Sequence, residues 1–194
     1  MRLGILALQG DFAEHTAMLR RLGVAVVEVR LPAQLEGLAG LIIPGGESTT
    51  IAKLAVSYGL IEPLRKFGQD KPIWGTCAGA IFMSRDVHRD QPLLQLMDIT
   101  VERNAFGRQV DSFEVDLPVP ALGKDTFRAI FIRAPFIEKV GSGVEVLAKL
   151  DDGTAVAARQ KNLLACAFHP ELNNDLRFHD YFIRIIGHSE CERQ

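Results

Sequence analysis

The stretch "PIWGTCAGAIFMS" (72–84) decides the fold class, because it joins an apolar strand directly to an apolar helix. "PIWGT" (72–76) predicts a buried strand, and "AGAIFMS" (78–84) predicts the start of a helix. Cys77 stands at the junction, inside "GTCAG" (75–79), which has the form G-x-nucleophile-x-G. At a strand-to-helix turn this form is typical of a nucleophile held at a sharp elbow, at the C-terminal edge of a sheet.

The same alternation of strand and helix precedes this stretch. Three apolar runs predict strands, and three segments with helical spacing predict helices: strands at 2–8, 24–30 and 38–44, and helices from Asp11 to Gly23, at 48–57 and at 61–68. Asp11 and Glu14 have the spacing of a capping box at the start of the first helix. Strands that are apolar on both faces and alternate with helices predict a parallel sheet covered by helices on both sides.

From about residue 98 the pattern changes to short β-like segments separated by Gly, Asp and Pro turns: 98–104, 108–117, 127–133, 144–150, 154–160 and 163–168. These predict antiparallel or mixed strands added to the sheet. An amphipathic helix at about 174–187 closes the chain. We therefore expect a single domain over residues 1–188, followed by a polar C-terminal tail at 189–194.

Composition restricts the function classes. The 194 residues are 47% hydrophobic and 24% charged, as in one globular domain with a full core. The net charge of −2 and the scattered Lys and Arg residues argue against a nucleic-acid partner. The start "MRLGILALQGDF" (1–12) lacks a signal peptide or membrane segment, so we expect a cytoplasmic protein with no membrane partner.

The three cysteines are odd in number and widely spaced, which fits neither a disulfide framework nor a zinc site. For Cys77, a position at a helix N-terminus favours the thiolate, and the N–H group of Ala78 can donate to an oxyanion. The alternative is a small buried side chain in a Gly/Ala-rich turn. We expect Cys166 to be a core residue and Cys191 to be an incidental thiol in the tail.

A thiol nucleophile needs a base, and His169 is the candidate among five histidines because it directly follows an apolar strand. Pro170 moves His169 away from helical geometry. In an extended segment Glu171 then projects to the same side as His169 and can orient its imidazole toward Cys77. The alternative is a solvated loop that starts a helix. His15, His88, His179 and His188 receive no role.

A third element is "IIPGGEST" (42–49), another strand that ends in a glycine pair. Gly45 and Gly46 let backbone N–H groups approach a ligand, so this loop can supply a second oxyanion donor. The alternative is an ordinary turn with Ser48 as the helix cap. All three elements follow predicted strands at the sheet edge where open α/β folds bind ligands, which favours one common site.

"PGGES", "GTCAGA" and "FHPE", in this order and spacing, resemble the class I (triad-type) glutamine amidotransferases. Within that class, "LALQGDFAEH" (6–15), "PGGESTTI" (44–51), "VERNAFGRQVDSFE" (101–114) and "FIRAP" (131–135) resemble the glutaminase subunits of pyridoxal 5′-phosphate synthase. The resemblance covers nearly the whole chain. It implies a three-layer α/β fold, with a central, mostly parallel sheet, helices on both faces and added antiparallel strands.

The resemblance also implies site residues. Cys77 would be the nucleophile, His169 the general base and acid, and Glu171 the orienting acid. The backbone at Gly46 and Ala78 would form the oxyanion hole. The L-glutamine pocket would be lined by Gly46, Glu47, Ser48, Arg103, Ile132 and Arg133. Glu47 suits the substrate ammonium and Arg103 or Arg133 the α-carboxylate, while surface salt bridges are the alternative for both arginines.

By the same resemblance, the partner is the synthase subunit, which completes the site of a weakly active glutaminase. The chain is expected to need neither a metal nor a cofactor, since pyridoxal phosphate is the product of the complex. We expect Gln9, in the turn after the first strand, to lie between the site and this partner. Three alternatives stay open: a subunit serving another synthase, a cysteine hydrolase or peptidase with the same elbow, and a catalytically silent binding module.

Overall fold

The computed structural model describes residues 1–103 and 112–191. Within these ranges, five parallel strands form the centre of the main sheet: β1 (Arg2–Leu6), β2 (Ala25–Val29), β3 (Gly40–Ile43), β4 (Ile73–Thr76) and β12 (Leu163–Cys166). Their order is β2-β1-β3-β4-β12. The parallel sheet expected from the sequence is confirmed, and its last strand comes from the far end of the chain.

The remaining strands extend this sheet or form a separate ribbon. Beyond β12 the order continues through β11 (Ala155–Gln160), β9 (Phe136–Val140), β6 (Met97–Glu102) and β5 (Ser84–Asp86), and β10 (Glu145–Lys149) also pairs with β11. β7 (Ser112–Leu117) and β8 (Phe127–Ile132) form an antiparallel two-stranded ribbon.

The added, mixed strands are as expected, although β5 and β9 were not predicted. Part of the predicted strand at 108–117 and most of "ERNAFGRQVDSFE" (102–114) lie outside the described residues.

The helices lie in two layers, one on each face of the sheet. α1 (Phe12–Arg21) and α5 (Arg177–Cys191) pack in one apolar core together with the β7–β8 ribbon. α2 (Ser48–Ser57), α3 (Ile61–Asp70) and α4 (Ala78–Met83) pack in the other core. The three-layer α/β architecture is therefore confirmed. No helix in the described ranges has both the length and the apolar character needed to cross a membrane.

The C-terminal helix differs from its prediction at both ends. α5 begins at Arg177 and continues to Cys191, so the boundary expected at residue 188 falls inside a helix. Polar residues alone do not end a helix, and no proline follows Gly187. Residues 192–194 lie outside the described part, and the division into one domain and a tail stays a prediction.

Trp74 on β4 fixes how α1 and α5 sit against the sheet. Its indole ring is fully buried and stacks on Phe178 of α5 at a centroid distance of 6.1 Å. It also meets the edges of two imidazole rings, those of His15 on α1 and His179 on α5, at 5.5 and 5.0 Å. This cluster lies against β4, the strand that leads directly into Cys77. Each of the two helices therefore brings a histidine toward the site.

Candidate active site

Cys77 occupies the sharp elbow that the motif predicts. Its φ of 46° and ψ of −105° are unusual for a residue with a side chain, and the side chain is 6% exposed. Its N–H donates to the carbonyl of Cys166 at 2.8 Å. A Cβ atom at Gly75 would lie 2.6 Å from backbone atoms of Gly79, and one at Gly79 would clash with the carbonyl of Ile43. The flanking glycines are therefore required by close backbone packing.

His169 and Glu171 meet, but not through an extended segment. His169 has φ −106° and ψ 85°, and Pro170–Leu172 forms one turn of 3₁₀ helix. The tight turn brings Nδ1 of His169 to 2.7 Å from Oε1 of Glu171, and both side chains are buried. The predicted pairing is thus present, with a different backbone geometry, because Pro170 favours the first position of a helical turn.

The Cys77 side chain lies close enough to His169 to act on the pKa of its imidazole. Since Nδ1 of His169 faces Glu171, Nε2 is the ring nitrogen left for Cys77. Burial alone lowers the pKa of His169, but hydrogen bonds to Asp11, Cys77 and Glu171 together raise it to about 12. The structure therefore brings the three predicted triad residues together and favours a protonated imidazole beside the thiol.

Asp11 contributes a second carboxylate that the sequence did not predict for this site. Its Oδ2 lies 3.3 Å from Nδ1 of His169, and the Asp11 side chain makes no capping hydrogen bond to α1. The capping box expected from Asp11 and Glu14 is therefore wrong. The side chain turns toward the imidazole instead, because a buried, protonated His169 attracts a carboxylate more strongly than an exposed helix end does.

Behind Glu171 lies a chain of buried polar side chains. Nε2 of His15 is 3.3 Å from Oε2 of Glu171 and 3.2 Å from Oγ1 of Thr76. Nδ1 of His15 is 2.9 Å from Nε2 of His179. Burial raises the pKa of Glu171, and the hydrogen bond from His169 opposes that rise. Glu171 thus lies between two imidazoles: that of His169 on the side of Cys77, and that of His15 on the side of the core.

The loop after β3 lies beside the elbow, as predicted. Gly46 has φ +149°, and a Cβ atom there would lie 2.5 Å from Oε1 of Gln9. That oxygen accepts the N–H of Glu47 at 2.7 Å, and the N–H of Asp11 donates to the carbonyl of Gly45 at 3.1 Å. Gln9 therefore contacts the loop that supplies the predicted oxyanion donor.

Glu47 and Arg103 pair with each other. Oε1 of Glu47 lies 2.7 Å from Nη2 of Arg103, whose Nη1 donates to Oε1 of Gln91 at 3.3 Å. Burial raises the pKa of Glu47, but hydrogen bonds from Thr49 and Thr50 and the charge of Arg103 outweigh it, so the pKa is lowered. The site thus presents an anion and a cation side by side.

The start of α2 differs from the alternative in which Ser48 caps the helix. Glu47 is the N-cap residue, and its carboxylate accepts the N–H of Thr50 at 2.9 Å. Ser48 is buried, and its hydroxyl has no hydrogen-bond partner among the described residues. A buried hydroxyl without a partner, next to the charged pair, is available to a ligand.

Ile132 and Arg133 lie at the end of β8. Ile132 is 37% exposed, and Arg133 has φ +43° and forms no ion pair within the described ranges. The strand is tied to the site through the carbonyl of Ile130, which accepts the N–H of His169 at 2.8 Å. The salt-bridge alternative thus applies to Arg103, which pairs with Glu47, and not to Arg133 in the part of the chain described.

Two groups of side chains have metal-like spacing. Asp11, His169 and Glu171 offer ligand atoms within 4.8 Å of one another, as do the more exposed His88, Glu102 and Glu138. In the first group a cation would displace the hydrogen bond between Nδ1 of His169 and Glu171. The observed contacts fit proton transfer by the imidazole.

Comparison with known proteins shows which family this chain belongs to. A family model described as the SNO glutamine amidotransferase family matches residues 5–188. The chain is 58% identical over 189 residues to pyridoxal 5′-phosphate synthase subunit PdxT of Roseiflexus castenholzii, covering 95% of this chain and 100% of that one. It is 59% identical over 190 residues to the subunit of the same name in Herpetosiphon aurantiacus, with the same coverage. A crystal structure described as a glutamine amidotransferase has a TM-score of 0.91 at 50% identity, covering 95% of this chain and 98% of that one.

Proposed function

We propose, because this chain belongs to the SNO glutamine amidotransferase family, that it is the glutaminase subunit of pyridoxal 5′-phosphate synthase. It hydrolyses glutamine to glutamate and ammonia, and it supplies the ammonia to the synthase subunit for vitamin B6 biosynthesis. One observation carries the chemistry: Cys77 stands at a strained elbow and raises the pKa of His169, whose Nδ1 lies 2.7 Å from Oε1 of Glu171.

The proposed reaction uses the triad twice. The sulfur of Cys77 attacks the side-chain amide carbon of glutamine, and the protonated His169 gives its proton to the departing ammonia. A γ-glutamyl thioester remains on Cys77. His169, now neutral, takes a proton from water, which attacks the thioester and releases glutamate. Glu171 keeps Nδ1 protonated throughout, so that Nε2 faces the reacting atoms.

The oxyanion of each tetrahedral intermediate is held by backbone N–H groups at Gly46 and Ala78. Each such donor contributes about 10²- to 10³-fold in rate. The elbow places Ala78 directly after the nucleophile, and the packing of Gly79 against Ile43 holds the loop after β3 close by. Oε1 of Gln9 accepts a hydrogen bond from the N–H of Glu47 in this loop. We expect the synthase to act on the turn that contains Gln9 and so to complete the oxyanion hole.

The charged pair supports an amino-acid substrate. Glutamine is a zwitterion at its α-carbon, and Glu47 and Arg103 present opposite charges 2.7 Å apart. Glu47 receives the ammonium, and Arg103 or Arg133 receives the α-carboxylate. The hydroxyl of Ser48 and the backbone at Gly46 and Ile132 line the remainder of the pocket. Gln91, which the sequence did not suggest, holds Arg103 in place.

The mechanism uses neither a metal nor an organic cofactor. Pyridoxal 5′-phosphate is the product of the complex and has no role in this chain's chemistry. A reactive thiol is best preserved where thiols stay reduced, and both Cys77 and Cys166 are free. This supports a cytoplasmic location, as the sequence suggested.

Glutamate release by the reconstituted complex tests this function. We expect wild-type chain with the synthase to form glutamate from glutamine, several-fold faster than the chain alone, and C77A to form none. The C166A variant is the matched control, because Cys166 is a buried thiol outside the triad. Activity that survives C77A contradicts the mechanism. Equal turnover with and without the synthase contradicts the role of the partner.

A further inference from the structure

We propose that His15 is a positioning residue of the triad, whose neutral imidazole, oriented by His179, holds the second carboxylate oxygen of Glu171. This inference rests on the proposed function, since it assigns His15 a part in the same reaction. His15 does not touch the substrate. It acts through Glu171, which in turn orients His169.

The second carboxylate oxygen of Glu171, Oε2, requires a nearby hydrogen-bond donor, and His15 can supply it. Oε1 is used by Nδ1 of His169, but Oε2 is buried and has no hydrogen-bond partner among the described residues. Its nearest ion-pair contact is Nε2 of His15, at 3.3 Å, with both side chains inaccessible to solvent. A buried carboxylate oxygen is unfavourable without a nearby donor, so a proton on Nε2 of His15 stabilises the ionised acid.

The contacts determine which nitrogens carry protons. Nε2 of His15 faces a carboxylate, which only accepts, so this nitrogen carries the proton and Nδ1 is bare. Bare Nδ1 accepts across the 2.9 Å contact, so Nε2 of His179 is the donor. Nδ1 of His179 is then bare, in agreement with its lack of any partner in the described structure. One arrangement of protons therefore accounts for the contacts of His15 with both Glu171 and His179.

The surroundings keep both imidazoles neutral. Burial lowers the pKa of His15, and the neighbouring histidines His179 and His169 lower it further. Burial also lowers the pKa of His179, to about 3. A neutral imidazole leaves Glu171 charged, whereas an imidazolium at His15 would compete with His169 for the carboxylate.

Several groups face this pair. Thr76 shares Nε2 of His15, and the ring of Trp74 packs against both histidines. The charge of Asp11 acts on Glu171, and the charge of Glu171 acts on the Cys166 thiol. Thr76 and Trp74 carry no charge, and burial raises the pKa of the Cys166 thiol well above its ordinary value, so that it stays neutral. His15 is therefore the group on the core side of Glu171 whose replacement most directly alters the acid.

Two isosteric substitutions separate this role from simple packing. The amide nitrogen of glutamine sits where Nε2 of histidine lies, whereas that of asparagine corresponds to Nδ1. In the complex with the synthase, we expect H15Q to retain most of the glutaminase kcat. We expect H15N to lose about 10- to 100-fold in kcat with KM nearly unchanged, the effect of leaving a buried carboxylate oxygen without its nearest donor. H188N, an exposed histidine on α5, is the matched control.

The pH profile provides a readout that a packing defect would not move. Removing a donor from the ionised form raises the pKa of Glu171, so the acidic limb of kcat/KM should move to higher pH in H15N, by about one pH unit or more. H15Q and H188N should keep the wild-type limb. Equal losses in H15N and H15Q, or an unmoved acidic limb in H15N, would overturn the proposal. Inactive wild-type complex would instead contradict the proposed function.

A second pair of variants and a spectrum cover the case in which the His15 variants do not fold. H179Q keeps the donor to Nδ1 of His15 and H179N loses it, so the same split in kcat is expected, and equal rates would overturn the proposal. In nitrogen-15 NMR spectra of the wild-type chain, both His15 and His179 should carry a single proton, on Nε2, near neutral pH. A proton on Nδ1 of His15, or a doubly protonated ring, would contradict the assignment.

Discussion

Arg103 is the residue through which we propose that the α-carboxylate of glutamine is bound. Its guanidinium pairs with Glu47 and is largely buried, at 16% exposure of the side chain. We expect R103A to raise KM for glutamine by about 10- to 100-fold with a smaller effect on kcat, because the lost contact binds ground state and transition state alike. Steady-state glutaminase kinetics in the complex measure both constants.

The control for R103A is R128A, which removes an arginine that is also ion-paired. Arg128 bridges Glu114 and Asp116 on the solvent-exposed face of the β7–β8 ribbon, where such pairs contribute little. R128A should leave KM unchanged. An unchanged KM in R103A would remove Arg103 from the substrate pocket.

Single residues differ in how far sequence alone could place them. Cys77 and the pair His169 and Glu171 follow predicted strands, so their convergence followed from the rule that ligand sites form at that sheet edge. Asp11 and His15 read as a helix cap and a helix-face residue. Their contacts with His169 and Glu171 join residues more than 150 positions apart, and no local pattern encodes such a contact.

At the scale of elements, the elbow between β4 and α4 should tolerate no side chain at Gly79. A Cβ atom there meets the backbone carbonyl of Ile43, which cannot rotate away. We expect G79A to lower the free energy of unfolding by about 1–3 kcal/mol, as for overpacked cores, and to reduce glutaminase activity. Chemical denaturation and turnover of the complex measure these effects.

Gly187 in α5 is the matched helical glycine, since a Cβ atom there meets nothing within 4 Å. G187A should raise the free energy of unfolding by about 0.5–1 kcal/mol without affecting turnover, because alanine favours helix and constrains the unfolded chain. If G79A were as stable and as active as G187A, close packing would not be what fixes the elbow.

Elements with a strong apolar pattern were predicted well, and the others were not. The helix at Ser48–Ser57 matches its prediction at both ends. β5 is only three residues long, and β9 has an alternation too weak to signal a strand: it carries three exposed residues among its five. Such short or exposed strands form because a neighbour supplies their hydrogen bonds, which depends on the tertiary fold.

In the molecule as a whole, the site exists because β12, from the C-terminal part of the chain, lies beside β4 in the main sheet. The two strands lie in parallel register, although the added strands separate them in sequence. This places the loop with His169 next to Cys77, while α1 and α5 meet beneath through His15 and His179. Sequence patterns indicated which edge would hold the site, but the layer of buried histidines below it follows only from this topology.

The reactivity of Cys77 relative to that of Cys166 shows whether Cys77 is the nucleophile. Both thiols are free and buried, but burial raises the pKa of Cys166 well above its ordinary value, whereas Cys77 stands at the elbow and acts on the pKa of His169. In the complex, with Cys191 replaced by serine, we expect iodoacetamide to alkylate Cys77 much faster than Cys166, and glutamine to slow the reaction at Cys77 alone. Peptide mass spectrometry gives both rates. Alkylation of Cys77 no faster than that of Cys166, or unaffected by glutamine, would contradict its assignment as the nucleophile that receives glutamine.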